Sequence, residues 1–238
     1  MFKIKSTPGM ALPTDEDLFN TVTRGMPGSS IPSFTYLTEK ERRDAVQYVK
    51  FLTAFTDASG KRLNRFEEAK KDDQLAKPIE VPPEPPVTVQ SLAEGARLFS
   101  KLNCVLCHGE TGAGAGPNAP SLKDTQGLYL PPRDFNSGAF RGGHTGRDLF
   151  TRISVGLAGT SMVDFDNKVM TDQQRWSVVH FGFTGELNKD DLEDITVSTP
   201  SLAASNVLDA SGKLVAPKNF KIHGIRQMRR PAPGNTCA

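Results

Sequence analysis

The stretch "CVLCH", residues 104 to 108, places two thiols and an imidazole within five consecutive positions. Two residues separate Cys104 from Cys107, and His108 follows directly. The third cysteine, Cys237, lies alone near the C-terminus, so three cysteines cannot form a disulfide framework. We expect Cys237 to be a free exposed thiol, with an intermolecular disulfide as the alternative. The informative feature is therefore the cysteine pair with its adjoining histidine.

This spacing is the pattern of covalent c-type haem attachment. Each thiol can form a thioether to a vinyl group of one porphyrin, while the imidazole of His108 reaches the iron. A structural zinc site would need further ligands, and neither a second CxxC nor an HxxxH motif is present. A thioredoxin-like redox pair would follow a strand, whereas the helical pattern "LAEGARLFSKLN" leads into Cys104. We therefore expect one covalently bound haem c.

A haem iron held by one histidine needs a sixth ligand for stable electron transfer, and a thioether supplies one that raises the reduction potential. Met162 lies in the loop "GLAGTSM", where Gly156 and Gly159 allow the chain to bend and approach the ring. An arbitrary methionine would more often fill a gap in the core. We expect His108 and Met162 to ligate the iron and Gly159 to contact the haem. The alternative ligands are Met170, His144 and His180.

The methionine loop has an earlier counterpart in the chain. Residues 17–34, "DLFNTVTRGMPGSSIPSF", match residues 148–165, "DLFTRISVGLAGTSMVDF", without a gap, and Ile31 stands where the later copy has Met162. After a shift of two residues, "LTEKERRDAVQYVKFL" matches "MTDQQRWSVVHFGFTG". Self-similarity over two consecutive elements indicates a duplication.

Each copy is predicted to form a helix, a glycine-rich loop and a second helix. The first helix begins at Thr14 or Thr145 with acidic residues in its first turn. Capping boxes predict the start of the second helix at Thr38 or Thr171. Apolar positions then predict a buried side for it. These positions are Ala45, Val46, Val49 and Phe51 or Leu52 in the first copy, and Trp176, Val179 and Phe181 or Phe183 in the second.

The segment between the copies changes character along its length. It begins as the charged, helix-compatible "KRLNRFEEAKKDD" and ends as the Pro-rich, extended "KPIEVPPEPPVTVQ". Ser91, with Glu94 three residues later, predicts the start of the helix that leads into Cys104. Loops follow His108, and the C-terminal region shows no clear period. The predicted divisions are a partial unit without CxxCH at 1–58, a linker at 59–87, a haem-binding domain at 88–187 and an irregular polar tail at 188–238.

The order "EGARLF", "CVLCH", "GTSM" and "QQRWSVVHF" resembles a class I cytochrome c domain over roughly 88–187. The resemblance implies an all-α fold with one complete haem domain. It also implies that Gly95 and Phe99 of the first helix pack against Trp176 and Phe181 of the last.

The same resemblance implies further haem contacts. Pro120, or Pro117, would place a backbone carbonyl that orients the axial imidazole. Arg133 of "PPRDF" would pair with a haem propionate. Val163 departs from the family, which usually has proline after the methionine. This difference would affect the rigidity of the loop more than the binding of the iron by Met162.

Residues 14–52 resemble the first unit of tandem, two-domain cytochromes c. Such a unit should begin with its own CxxCH, and the repeat spacing places that motif before Met1. We therefore expect a helical half-domain, resembling the C-terminal half of a second cytochrome c unit, ahead of the haem domain. Three explanations are open: a truncated first unit, which we favour, an evolved haemless lid, or a missing half that a neighbouring chain supplies.

The composition argues against several other functions. The net charge is +2, from 29 Lys+Arg against 27 Asp+Glu, so neither nucleic acid nor an anionic membrane surface is favoured as a partner. Hydrophobic residues make up 37% of the chain, which is typical of a soluble domain. The sequence also has no apolar stretch of signal-peptide type, although covalent haem attachment implies a periplasmic or otherwise exported protein.

We expect a single-electron carrier in a respiratory or dehydrogenase-linked chain rather than a catalyst. Its partners would be redox proteins, such as a membrane respiratory complex or a periplasmic dehydrogenase, with no small molecule binding at the iron. The alternatives are the haem-bearing subunit of a larger oxidoreductase, a peroxidase-like diheme enzyme, or a scaffolding role for residues 1–58 and the tail.

Overall fold

Seven α-helices and one short hairpin form the regular structure of residues 2–72 and 74–183, which are the residues that the computed structural model describes. The predicted all-α class is confirmed. The polar tail at 188–238 and Cys237 lie outside the described residues. None of the described helices is long and apolar enough to cross a membrane. The helices are α1 Asp15–Arg24, α2 Glu39–Phe51, α3 Arg65–Lys71, α4 Val89–Lys101, α5 Cys104–His108, α6 Gly146–Val155 and α7 Asp172–Phe183.

The chain divides into two compact units that interleave along the sequence. The first contains the described part of Met1–Pro82 together with Ala139–Val169, and therefore holds α1, α2, α3 and α6. The second contains Pro83–Gly138 and residues 170–183, and therefore holds α4, α5 and α7. The domain boundaries read from the sequence stay predictions.

In the first unit, α1 and α2 begin where the sequence places their caps. The side chain of Thr14 accepts from Asp17 N while Asp17 caps the Thr14 backbone, and Thr38 forms the same reciprocal pair with Glu41. Such boxes satisfy amide groups that the first helical turn leaves without partners. The core cluster of this unit is Leu18 of α1, Val46 of α2 and Phe66 of α3.

The chain after α2 differs from the sequence prediction in two respects. Phe51 and Leu52 are 52% and 61% exposed, so the prediction that one of them is buried is wrong. The segment then forms an antiparallel hairpin of β1 (Ala54–Thr56) and β2 (Arg62–Asn64), which the sequence reading missed. Asp57 makes its turn, because its Oδ1 accepts from the backbone of both Ser59 and Lys61.

The two copies of the glycine-rich loop have the same backbone conformation. Gly25 ends α1 at φ 68° and ψ −164°, and Gly156 ends α6 at φ 65° and ψ −160°. Gly28 and Gly159 follow at φ 73° and φ 74°. These left-handed angles favour glycine. The sequence repeat is therefore also a repeat of local structure, whereas the interpretation of 1–58 as half of a cytochrome c unit stays a prediction.

In the second unit, the N-cap of α4 lies three residues before the predicted one. Thr88 is the N-cap and Ser91 is its reciprocal partner, so the prediction of Ser91 as the cap is wrong. The hydroxyl of Ser91 is committed to this box, since Thr88 N donates to Ser91 Oγ at 3.0 Å. The same Oγ lies 3.2 Å from Nδ1 of His180 on α7.

Helices α4 and α7 form the main packing contact of this unit. Their approach depends on Gly95, where an added Cβ would lie 2.1 Å from Ser177 O and 2.6 Å from the Cβ of Phe181. Beside this crossing, the rings of Phe99 and Phe181 have centroids 5.5 Å apart. The predicted packing of Gly95 and Phe99 against the last helix is confirmed.

Candidate haem-attachment site

The "CVLCH" stretch forms the short helix α5, which begins directly after α4. Asn103 connects the two helices at φ 61°, in the left-handed region that Asn tolerates better than most residues. Cys104 and Cys107 are three positions apart in the helix and His108 is four positions after Cys104, so all three lie on one face. Both cysteines are free and partly buried. The sequence thus places two thiols and an imidazole on one helical surface.

The loop that follows α5 holds the attachment helix in place. Backbone amides of Gly114, Gly116 and Asn118 donate to the carbonyls of His108, Cys107 and Leu106 at 2.9, 3.1 and 2.8 Å. These carbonyls end a helix of one turn and have no partners within it. At Gly116 an added Cβ would lie 2.3 Å from Leu106 O, so this close approach requires glycine.

The imidazole of His108 lies between aromatic rings. It stacks on Phe135 with centroids 4.6 Å apart and planes 28° apart, and the ring of Phe99 lies 6.3 Å away. Burial lowers the pKa of His108, and the backbone of Arg133 opposes that shift. The imidazole is therefore held in its neutral form, which is the form that binds a metal.

The donor set fits a covalently attached haem. The Nδ1 atom of His108 is buried and makes no hydrogen bond of normal length to the described residues. Burial also raises the pKa of the Cys104 thiol to about 11, with a smaller contribution from Cys107, so this thiol is protonated at neutral pH. A protonated thiol at Cys104, the adjoining thiol of Cys107 and a neutral imidazole among aromatic rings match the thioether and iron-ligand chemistry of haem c.

Met162 and Gly159 belong to the first unit, on the loop after α6. Met162 is partly buried, its amide donates to Thr160 Oγ1 at 3.1 Å, and its carbonyl accepts from Leu157 N at 3.0 Å. An added Cβ on Gly156 would lie 2.8 Å from Met162 O. The loop is therefore held by backbone contacts that do not involve the thioether, and ligation by Met162 stays a prediction.

Pro120 and Arg133 belong to the second unit, near α5. Pro120 is exposed within the 3-10 turn Ala119–Ser121, and Pro117 is also exposed. Arg133 is partly buried. The roles of Pro120 and Arg133 stay predictions.

The alternative ligands have different surroundings. His180 is fully buried on α7, and its ring contacts Ser91 and lies 3.5 Å from a carboxylate oxygen of Glu84. Met170 is 2% exposed at the start of α7, as a core residue would be. His144 is exposed.

Sequence reasoning missed Phe135, which makes the closest ring contact to His108. Its position in "PPRDF" beside the predicted propionate partner was the available signal. Asp134 caps the 3-10 turn Phe135–Ser137 by accepting from Asn136 N, and Phe135 N donates to Gly112 O at 2.8 Å. These hydrogen bonds hold the ring of Phe135, which is distant from His108 in the sequence, against the imidazole.

Comparison with known proteins agrees with this geometry. The profile of the Cytochrome c family matches residues 92–181, a range that includes α5 and the paired helices α4 and α7. A chain solved in the Kuenenia stuttgartiensis reducing HAO-like protein complex is similar at 31% identity and a TM-score of 0.66, over 76% of this chain and 76% of that chain. No curated protein sequence matches the chain significantly. A cytochrome c domain binds a c-type haem covalently and serves haem-based electron transfer. With its attachment helix, its packed terminal helices and these two matches, the chain belongs to the cytochrome c family.

Proposed function

We propose that the protein is a single-electron carrier with one haem c, bound through Cys104 and Cys107 and ligated by His108 and Met162. The attachment helix carries this proposal, because it presents two free thiols and a neutral, buried imidazole on one face. The haem, when bound, supplies reversible one-electron chemistry at its iron.

The chain's own residues perform three tasks. The thiols of Cys104 and Cys107 anchor the group, which keeps it in place through repeated redox cycles. Stacking on Phe135 fixes the orientation of the His108 imidazole. Met162 would hold the iron through its thioether, which would leave no position at the iron for a substrate. A centre with both axial positions occupied by protein changes valence with little rearrangement.

The partner in this proposal is a protein of a redox complex. The similar solved chain comes from a reducing HAO-like protein complex, which supports a role for this chain beside an HAO-like protein. We also propose that the protein works in an exported compartment, since covalent attachment of a haem to Cys104 and Cys107 implies export. Expression with and without a periplasmic export leader tests this point: only the exported form should contain attached haem.

The experiment that tests the carrier proposal combines intact mass with optical spectroscopy on protein matured in a bacterial periplasm. We expect a mass gain of one haem, together with a weak long-wavelength absorption from an iron–sulfur bond. Cys104→Ser with Cys107→Ser should abolish the mass gain. Colourless wild-type protein would overturn the proposal.

A second candidate function is that of a catalytic haem subunit. It is supported by the similar solved chain, which comes from a reducing HAO-like protein complex. Such a subunit would carry an iron with one open coordination position. Carbon monoxide separates the two functions, because a haem ligated by both His108 and Met162 should bind it poorly. Rapid, stoichiometric carbon monoxide binding by the reduced protein would favour the catalytic function.

A further inference from the structure

The first unit contains a cavity of about 330 Å³ that belongs to neither the thiol site nor the methionine loop. Its walls come from α1, α6, the N-terminal segment around Lys5, the Pro78–Val81 region and the loop at Arg141 and Gly142. We refer to it as the α1–α6 cavity. Asp17 of α1 and Asp148 of α6 are equivalent positions of the sequence repeat, so the two repeated helices present corresponding faces to the same space.

The charged side chains around the α1–α6 cavity are unequal in number. Five cationic side chains line it against three acidic ones, an excess of two positive charges. The cations are Lys5, Arg24, Arg141, Arg147 and Arg152, and the acids are Glu16, Asp17 and Asp148.

Helix capping and one ion pair already occupy two of the three carboxylates. Asp17 Oδ2 accepts from Thr14 N at 2.9 Å and from Ser6 Oγ at 3.0 Å. Asp148 accepts from Thr145 N at 3.1 Å and pairs with Arg24 at 3.0 Å. Because these contacts already use the two carboxylates, Asp17 and Asp148 are less able to pair with the other cations of the cavity.

The third carboxylate, Glu16, also faces an arginine outside the cavity, since it lies 3.7 Å from Arg43 of α2. Its side chain is 63% exposed, so much of its charge is screened by water. The cavity therefore keeps its positive excess.

The other four cations contact backbone carbonyls. Lys5 Nζ donates to Thr7 O and Gly9 O, each at 2.7 Å. Arg152 has only long contacts, at 3.4 Å to Lys3 O and 3.4 Å to Gly156 O. At the other side chains, Arg141 Nη2 donates to Gly28 O at 3.3 Å and Arg147 Nη1 donates to Val81 O at 3.5 Å. Within residues 2–72 and 74–183, none of these four makes an ion pair with a carboxylate.

Lys5 is buried, Arg152 is partly buried, and the other two cations lie at the rim. Lys5 is 2% exposed, and burial lowers its pKa. Burial lowers the pKa of Arg152 to about 10, while Asp17 and Asp148 act in the opposite direction. Arg141 and Arg147 are exposed. Cations that are removed from water and make no direct ion pair are costly, so an anion in this space would be stabilised by them.

The backbone of Gly142 packs against the guanidinium of Arg152 on one side of the cavity. An added Cβ on Gly142 would lie 2.8 Å from Arg152 Nη2 and 3.3 Å from Nε, so the loop backbone rests directly on the guanidinium. This contact holds the planar donor in one place, which suits paired hydrogen bonds to an oxyanion.

We propose that the α1–α6 cavity is a binding site for a small oxyanion with two negative charges, held by Arg152 and Lys5 and closed at the rim by Arg141 and Arg147. Inorganic phosphate and a short dicarboxylate share this chemistry. The charge excess matches a dianion, and the ligand would join the two repeated helices through their equivalent faces.

The test is calorimetric titration of the haem-loaded full chain at constant ionic strength, with phosphate in one arm and succinate in the other. Acetate is the monovalent control. We expect saturable one-to-one binding of at least one dianion and little binding of acetate. The stronger dianion identifies the ligand class. If neither dianion binds saturably at millimolar concentration, or acetate binds equally well, the proposal is wrong.

Substitutions of residues that line the α1–α6 cavity test whether the dianion binds there. Arg152→Gln should weaken dianion binding by roughly tenfold or more, as expected for a lost charge-assisted hydrogen bond. Arg147→Gln provides a second variant that should fold normally because its side chain is exposed, and it should weaken binding by a few fold. Arg62→Gln is the matched control, since Arg62 lies on β2, is exposed and does not line the cavity. Unchanged affinity in both cavity variants would overturn the assignment.

Discussion

Ile31 and Met162 occupy the same position in two copies of one loop. The carbonyl of Ile31 accepts from Met26 N at 2.9 Å, and that of Met162 accepts from Leu157 N at 3.0 Å. Their amides face Ser29 Oγ and Thr160 Oγ1 at 3.2 and 3.1 Å. The loop conformation is therefore independent of the side chain that it presents.

This equivalence predicts the outcome of Met162→Ile. The variant should keep its attached haem and its fold, because the first copy shows that the loop accepts isoleucine. It should lose the weak iron–sulfur absorption, and its reduction potential should fall because the thioether is gone. Optical spectra and redox titration measure both effects. Met170→Leu is the control, and loss of the band in that variant alone would identify Met170 as the ligand.

Gly95→Ala should destabilise the second unit. The new methyl group would meet Ser177 O at 2.1 Å, which forces α4 and α7 apart. Overpacking of this kind costs about 1–3 kcal/mol or more. Urea denaturation of the haem-loaded protein measures the free energy of unfolding. Gly182→Ala, on α7, is the matched control, because an added Cβ there meets no atom of the described residues within 4 Å and alanine favours the helix. Equal effects of the two changes would contradict the packing argument.

Gly156→Ala should disturb the methionine loop without touching the ligand. Its backbone has φ 65°, and the added Cβ would lie 2.7 Å from Val163 C. We expect a weakened or absent iron–sulfur band despite an intact Met162. The control is Gly127→Ala, which also has a positive φ, of 77°, but no atom within 4 Å of the added Cβ. An unchanged spectrum in Gly156→Ala would show that the loop tolerates the displacement.

His180 should make stability depend on pH. Burial lowers its pKa in the folded protein, and Glu84 opposes the shift only in part. As the pH falls below about 6.5, the unfolded chain binds a proton that folded His180 resists. Stability should therefore decrease from that point down to the folded pKa, by at most about 1.4 kcal/mol per pH unit for this single group.

The free energy of unfolding of wild type and His180→Gln, measured by urea denaturation from pH 5 to 8, isolates this contribution. The difference between the two proteins should change across the acidic part of the range and become constant above pH 7. A difference that stays constant throughout would show that His180 does not titrate differently on folding.

The sequence predicted the attachment motif and most helix starts because both depend on local spacing. The thiols, the imidazole and the caps at Thr14 and Thr38 each need only neighbours within a few residues. The start of α4 was misread because Ser91 fits two roles, as an N-cap or as the third helical residue of a box capped by Thr88. Local pattern alone cannot separate these two registers.

Long-range contacts account for what the sequence could not predict. Apolar spacing indicated a buried side for α2, but it could not show that Phe51 and Leu52 would stay exposed. The stacking of Phe135 on His108 depends on how a loop returns to the helix. The α1–α6 cavity likewise depends on bringing Lys5 and Arg152 together from opposite ends of the described chain.

The close crossing at Gly95 has a consequence for the order of folding. Helices α4 and α7 lie at opposite ends of the haem-domain sequence, so their pairing must close a long segment of chain, which is a slow and entropically costly step. The thiols of α5 lie inside that segment, and in the folded domain both are partly buried. An enzyme that modifies Cys104 and Cys107 should therefore reach them most easily on the open polypeptide, before the terminal helices associate.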